Sequence, residues 1–273
     1  MLDYNKKPAD ELKEKSLWLL DMDGTIYEEN RIFDGTIDLL QTIEKRGGQY
    51  VFLTNNSSRS VEDYIKKVTA MGIHAGRDNF FTSSQATVLF LKEHFPDALI
   101  YCQGTKSLVR ELQDSGIRVT TEMDLRSDAV LVGFDTELTF QKLRNTCELL
   151  TKRDIPYIAT NPDFVCPTDY GFVPDCGSMC IGIRYATGKM PLVIGKPEPT
   201  MIEIAEQKFH KTAADTVLIG DRLYTDIASG VNASVATIAV LSGEAKYEEI
   251  QAYEKQPTYV FQSVKEIYEG LTE

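Results

Sequence analysis

The chain has 273 residues, enough to bury a sizeable core in one large domain or two modest ones, and two are expected. A composition of 42% apolar and 26% charged residues excludes a disordered or low-complexity chain. A formal charge of -12 speaks against polymeric nucleic acid as a partner, because such binding draws on many Lys and Arg contacts to phosphate, and leaves open a small anion held with a metal.

From the N-terminus on, Lys6, Lys7, Asp10, Glu11, Lys13 and Glu14 leave no room for the apolar core of a signal peptide. No later stretch approaches the ~18 uninterrupted apolar residues of a membrane span. A cytoplasmic protein without membrane contact is expected. Apolar β-rich runs then alternate with helical patterns almost to the end, the mark of α/β layers with largely parallel sheets.

The first strand, 17–21, is the run Leu17, Trp18, Leu19, Leu20, and it leads into Asp21, Met22, Asp23, Gly24 and Thr25. An unpaired carboxylate at the end of a buried strand costs several kcal/mol or shifts its pKa until it is neutral, so a divalent cation is the expected compensator. Asp21 could attack phosphorus as a nucleophile, and Asp23 could give a proton to the leaving oxygen and then activate water. Gly24 permits the turn. A merely structural turn is the competing reading; a calcium loop is disfavoured because its downstream acidic pattern is missing. After a helix over 36–46, the strand 49–54 ends in Thr54, Asn55, Asn56, Ser57 and Ser58, just before a helix over 60–71. Hydroxyl and N–H donors there could hold phosphate oxygens, a reading compatible with a plain N-cap cluster.

Helices over 84–94, 105–115 and 139–152 alternate with strands over 98–102, 128–133 and 156–160. The last strand ends in Thr160 and Asn161, an echo of Thr54 and Asn55: both ends could face one cleft, or the echo could be coincidence. Cys176 and Cys180 sit at helical spacing, but two soft ligands alone hold no zinc, and core packing is expected for them. The odd total of five cysteines without a paired CxxC argues against a disulfide framework or a structural zinc. A strand over 191–194 precedes Gly195, Lys196, Pro197, Glu198 and Pro199, which set a fixed positive charge between a strand and a helix over 199–209. The strand 216–220 runs into Gly220, Asp221, Arg222, Leu223, Tyr224, Thr225 and Asp226, followed by a helix over 223–230, a strand over 235–241 and a helix over 263–270. Asp221 and Asp226, set against Asp21 and Asp23, make an all-oxygen acidic cluster of the kind that suits Mg²⁺. His74, His94 and His210 lack metal spacing and are read as non-catalytic.

These four segments, Asp21-Met-Asp-Gly-Thr, Thr54, Lys196-Pro and Gly220-Asp-x4-Asp226, resemble the four ordered motifs of the haloacid dehalogenase superfamily. Thr82-Ser-Ser-Gln-Ala-Thr and Asn161-Pro-Asp163 are similar to the NagD-like, p-nitrophenylphosphatase-type branch. The resemblance implies a Rossmann-like, doubly wound parallel-sheet core over 1–83 and 188–273, with a smaller α/β cap inserted over 84–187 that selects the substrate. It implies that Asp21 forms an aspartyl-phosphate, that Asp23 is acid and base, and that Thr54 and Lys196 hold the phosphoryl group, joined by Gly24, Thr25, Asn55 and Asn56. Asp21, the backbone carbonyl of Asp23, and Asp221 would coordinate Mg²⁺, with Asp226 a ligand through water or a partner to Lys196. An acid at position 23 favours a phosphatase over dehalogenase-like or ATPase-like members.

In the cap, the loop from Asn161, Pro162 and Asp163 through Pro167, Thr168, Asp169 and Tyr170 to Asp175 would line the substrate site. Where relatives commonly read Pro-Gly-x-Gly-Ser, this chain reads Pro174-Asp175-Cys176-Gly177-Ser178, so Asp175 could repel an acidic leaving group or cap the following helix. The expected activity is Mg²⁺-dependent hydrolysis of small phosphate monoesters, with sugar phosphates, nucleoside monophosphates, phosphoglycolate and pyridoxal phosphate all open. A phosphomutase and an idle metabolite-binding protein are the alternatives. Members of this branch often pair through their caps, so a homo-oligomer formed that way stays open here.

Overall fold

The computed structural model describes residues 1–168 and 170–273, so Asp169 of the expected cap loop lies outside the described residues. The chain divides into two compact units: Met1–Thr54, Val61–Phe81 and Lys196–Glu273 form one, and Asn55–Ser60 with Thr82–Gly195 form the other.

The first unit is built on a six-stranded sheet. Its order is Tyr259–Phe261, Ala236–Val240, Thr216–Gly220, Leu17–Leu20, Gln49–Thr54 and Phe80–Thr82, and the first five strands run parallel. Strand Leu17–Leu20 is central: Leu17 pairs with Thr216 and Gln49, and Leu20 with Ile219 and Phe52. A central parallel strand needs apolar residues on both faces. Trp18, Leu20, Tyr50, Phe52, Val217 and Ile219 pack in one cluster with Leu39, Val68 and Ile267 of helices Thr36–Lys45, Val61–Ala70 and Val264–Thr272. Leu17, Leu19, Val51, Leu53 and Leu218, which have the opposite parity, are fully buried too, so helices or loops cover both faces as a doubly wound sheet requires.

The second unit carries a smaller parallel sheet in the order Leu192–Val193, Tyr157–Ala159, Ala129–Val132, Leu99–Gln103 and Arg118–Thr120. Its first helix, Ser83–His94, starts with a capping box: Thr82 Oγ1 accepts from Gln85 N at 3.1 Å, and Gln85 Oε1 accepts from Thr82 N at 3.0 Å. This explains the Thr82-Ser-Ser-Gln sequence in local terms. An antiparallel hairpin, Val165–Thr168 with Gly171–Pro174, and the helix Cys176–Thr187 complete the unit.

The compact units divide at Phe81/Thr82 and Gly195/Lys196, beside the expected domain boundaries at 84 and 187. Strand Leu192–Val193 belongs to the smaller sheet, so the first unit resumes at Lys196. Gly188 is instead the left-handed C-cap of helix Cys176–Thr187, with φ 74°. Hairpins and three-residue strands were also absent from the expected elements: Tyr27–Glu28 with Arg31–Ile32, Phe80–Thr82, Arg118–Thr120, Tyr259–Phe261 and the 165–174 hairpin. Among the described residues no helix is long and apolar enough to cross a membrane.

Candidate active site

The carboxyl end of the larger sheet gathers the site. Asp21 leaves strand Leu17–Leu20 with its amide still in the ladder, donating to Ile219 O at 2.8 Å. The chain then turns back sharply: Ile26 N donates to Met22 O at 2.9 Å and Gly24 N to Tyr27 O at 2.8 Å. Gly24 has φ +83°, and a Cβ built there would lie 2.2 Å from Asp221 Oδ2, so both conformation and space require glycine. Thr25, fully buried, donates its hydroxyl to Asp221 Oδ1 at 3.2 Å.

Asp221 follows the neighbouring strand Thr216–Gly220, and a π-helical turn, Leu223–Ile227, brings Asp226 back beside it. Arg222 N donates to Asp226 Oδ2 at 3.1 Å. Lys196 Nζ donates to Asp21 Oδ1 at 2.5 Å, to Asp226 Oδ1 at 2.6 Å and to Leu53 O at 3.1 Å. These oxygens suit the N–H donors of an ammonium, and Lys196 is only 2% exposed. Burial works against its charge, but Asp21 and then Asp226 outweigh that, and its pKa is raised, so Lys196 is protonated.

One carboxylate oxygen from each of Asp21, Asp221 and Asp226 lies within 4.8 Å of the others. Like charges at 4 Å repel by about 4 kcal/mol per pair at an effective dielectric of 20. Three carboxylates exceed what the Lys196 ammonium neutralises. Burial first, and the charge of Asp21 second, accordingly push Asp221 up to about 6 and Asp226 up to about 7. The excess negative charge, the all-oxygen donor set and the short spacing fit a small hard divalent cation, which Asp21, Asp221 and Asp226 could hold. Among the described residues this is the one group of three or more acidic, His or Cys side chains close enough to share an ion. Cys176 and Cys180 have their sulfurs 4.0 Å apart in the buried face of their helix, and all five cysteines are free thiols.

Not every expected site residue joins this cluster. Asp23 is exposed, next to the turn, and its side chain is outside the three-acid group. Thr54 is the half-buried last residue of its strand and belongs to the first unit, whereas Asn55 and Asn56 belong to the second. Asn56 Oδ1 accepts from Ser58 N at 2.8 Å and Ser58 Oγ at 2.7 Å, closing its own loop. Asn55 Nδ2 and Asn161 Nδ2 both donate to Asp163 Oδ2 at 2.9 Å, and Asn161 Nδ2 also donates to Asp175 Oδ1 at 3.1 Å. Asp175 Oδ1 further accepts from Cys176 N at 2.5 Å, so the residue caps the helix, the second of the two roles open to it. Burial raises Asp175 to about 6. Asn161 has no exposed surface and Asp175 is 4% exposed, which makes both of them residues that shape the loop. Gly177 lets the helix approach that loop: a Cβ there would lie 2.1 Å from Pro162 O. His74, His94 and His210 are exposed and outside the cluster.

Sequence reading missed residues 242–245, a loop after strand Ala236–Val240. Ser242 Oγ donates to Gly24 O at 2.8 Å, Glu244 N to Asp221 Oδ2 at 2.8 Å and Ala245 N to Asp221 O at 2.9 Å. The Glu244 carboxylate pairs with Arg222 Nε at 3.1 Å. Two of these contacts are made by backbone amides, which leave no mark on residue type.

Known proteins share this architecture. The family model described as haloacid dehalogenase-like hydrolase matches residues 18–118, and a second, HAD-hydrolase-like model matches 193–267. An acid sugar phosphatase of Staphylococcus saprophyticus is 33% identical over 260 residues, covering 95% of this chain and 99% of the relative. The crystal structure of a 4-nitrophenylphosphatase from Thermotoga maritima superposes with a TM-score of 0.89 at 35% identity, covering 96% of this chain and 99% of that one. NagD from E. coli K-12 gives a TM-score of 0.85 at 31% identity, with 92% and 98% covered. With its sheet order, its three-acid cluster and full-length similarity of this degree, the chain belongs to the haloacid dehalogenase-like hydrolases, in their NagD-like branch.

Proposed function

We propose that the chain is a Mg²⁺-dependent phosphoric monoester hydrolase that cleaves small phosphorylated metabolites through a covalent phosphate on Asp21. The observation that carries this reading is the convergence of Asp21, Asp221 and Asp226 on one another with Lys196 between Asp21 and Asp226. Phosphatase names among the relatives support the same class.

Phosphoryl transfer needs an aligned nucleophile and compensated charge more than elaborate covalent chemistry. Asp21 is held by its ladder amide and by Lys196, so its carboxylate is fixed at the strand end while remaining partly exposed. In the first step an Asp21 oxygen attacks phosphorus, the bond from phosphorus to the ester oxygen breaks, and Asp23 gives its proton to the departing oxygen. In the second, Asp23 takes a proton from water, the water oxygen attacks phosphorus, and the bond to Asp21 breaks to release inorganic phosphate. Exposure suits Asp23 for both proton transfers, since it must meet the leaving group and then water. The Thr54 hydroxyl and the Lys196 charge stabilise the phosphoryl group, and the same ammonium favours the charged form of Asp226 against its burial. Bound Mg²⁺ would supply charge neutralisation for the transferring group.

In this reading substrate choice falls to the second unit, where Asn161 ties Asp163 to Asp175. Sugar phosphates and nucleoside monophosphates are the classes to try first. Phosphate release from p-nitrophenyl phosphate with Mg²⁺, compared with EDTA and with Asp21→Asn, tests the reading. Release in the first condition and none in the other two is expected; release by Asp21→Asn at the parent rate would overturn it.

A further inference from the structure

The Asp221 carboxylate is pressed by two glycine backbones. A Cβ at Gly24 would lie 2.2 Å from Oδ2 and 2.6 Å from Cγ; a Cβ at Gly243 would lie 2.1 Å from Oδ2 and 2.5 Å from Cγ. Such distances are impossible for real side chains, so both positions must lack one. The two backbones are also joined to each other, because Ser242 Oγ donates to Gly24 O at 2.8 Å. Each carboxylate oxygen then receives one hydrogen bond, Oδ1 from Thr25 Oγ1 at 3.2 Å and Oδ2 from Glu244 N at 2.8 Å.

A carboxylate oxygen has two lone pairs, so one bond to each leaves one lone pair per oxygen while removing rotation about the Cβ–Cγ bond. Groups that fix a metal-binding side chain in this way typically cost about 10–100-fold in metal affinity when they are removed. We infer that residues 242–245 form a clamp that orients Asp221 for cation binding, with Ser242 and Gly243 as positioning residues. This rests on the Mg²⁺-dependent reading of the site. The clamp works by holding a ligand's angle, so its loss weakens cation binding more than it slows chemistry at saturation.

Gly243 tests it with little ambiguity, because its φ is not in the left-handed region and Gly243→Ala changes space alone. Mg²⁺ is titrated calorimetrically into the full chain without substrate, with fold and thermal midpoint checked in EDTA. Gly243→Ala is expected to raise the Mg²⁺ Kd on the order of 10–100-fold. Ser242→Ala should raise it by a smaller factor, and Ser242→Thr, which keeps the hydroxyl, should bind as the parent does. At saturating Mg²⁺, kcat of Ser242→Ala should return to within a few fold of the parent. Should Gly243→Ala not fold, Ser242→Ala and its rescue by Ser242→Thr decide the question. Parent-like Kd values in folded Gly243→Ala and Ser242→Ala would overturn the clamp while leaving the enzyme reading intact; absence of Mg²⁺ binding by the parent itself would overturn both.

Discussion

Lys196 donates to Asp21 at 2.5 Å, so the candidate nucleophile is already paired with an ammonium that also bonds Asp226 and a backbone carbonyl. This pairing places a compensating positive charge against a carboxylate at the mouth of an apolar sheet. It also implies that the same lysine cannot be exchanged for another cation: the guanidinium of arginine is planar and larger, while the three partners here surround a point charge.

Lys196→Met should therefore lower kcat/KM by roughly two to three orders of magnitude, the usual effect of losing a donor that meets developing charge. It should also destabilise the cation-free protein, by about 3–5 kcal/mol, because buried Asp226 loses its partner. Urea unfolding in EDTA measures the second effect and phosphate release the first. Lys196→Arg should restore neither. Full activity in Lys196→Arg would contradict the argument.

The cluster also sets how stability depends on pH. Asp221 at about 6 and Asp226 at about 7 stand above the ~3.9 of an unfolded aspartate. Between those limits the folded chain holds more protons than the unfolded one, so their contribution is full below about pH 4 and is lost as pH rises through 6 to 7. Asp175, raised to about 6 by burial, acts in the same sense. Mg²⁺ needs the deprotonated carboxylates, so its stabilisation runs the other way. The rise in Tm on adding Mg²⁺ should be larger at pH 8 than at pH 5. A rise that is equal at both, or larger at pH 5, would contradict this.

Asp175 offers a test in the second unit. Asp175→Ala removes the cap of helix Cys176–Thr187 and leaves the buried Asn161 amide short of one acceptor, a loss of roughly 1–3 kcal/mol. Asp175→Asn keeps an oxygen acceptor and sheds a charge that burial disfavours, so at pH 8 it should be at least as stable as the parent. Denaturant midpoints separate the two. Because the loop is shaped by this network, Asp175→Ala and Asp163→Ala should change the ranking of substrates in a panel of phosphorylated metabolites. An unchanged ranking would remove the loop from substrate choice.

Much of this arrangement was legible in the chain because strong signals coincide. Leu17 to Leu20 and Val217 to Ile219 are apolar runs that lead into an acid, the second after one glycine, and in parallel sheets such ends share one edge. The family resemblance implies for Asp226 either a ligand through water or a partner to Lys196, and the structure has a direct 2.6 Å bond to the lysine. The hairpin over 165–174 was not legible: its exposed Val165, Phe172 and Pro174 break the usual rule that apolar residues alternate toward a core. The clamp over 242–245 leaves no sequence signal because its grip is made by amides, a serine hydroxyl and the absence of a side chain. Gly188 signals a helix stop, and a helix stop says nothing about which sheet the next strand joins; Leu192–Val193 joins the smaller one.

The central claim is that Asp21 takes up the phosphoryl group. Quenching the enzyme in acid during turnover with Mg²⁺, followed by borohydride reduction and peptide mass spectrometry, reads this directly, since an acyl phosphate is reduced to the alcohol and an ordinary carboxylate is not. The account predicts homoserine at position 21 and intact aspartate at 23, 221 and 226. Steady turnover with position 21 recovered only as aspartate, or the alcohol found at position 23 instead, would contradict it.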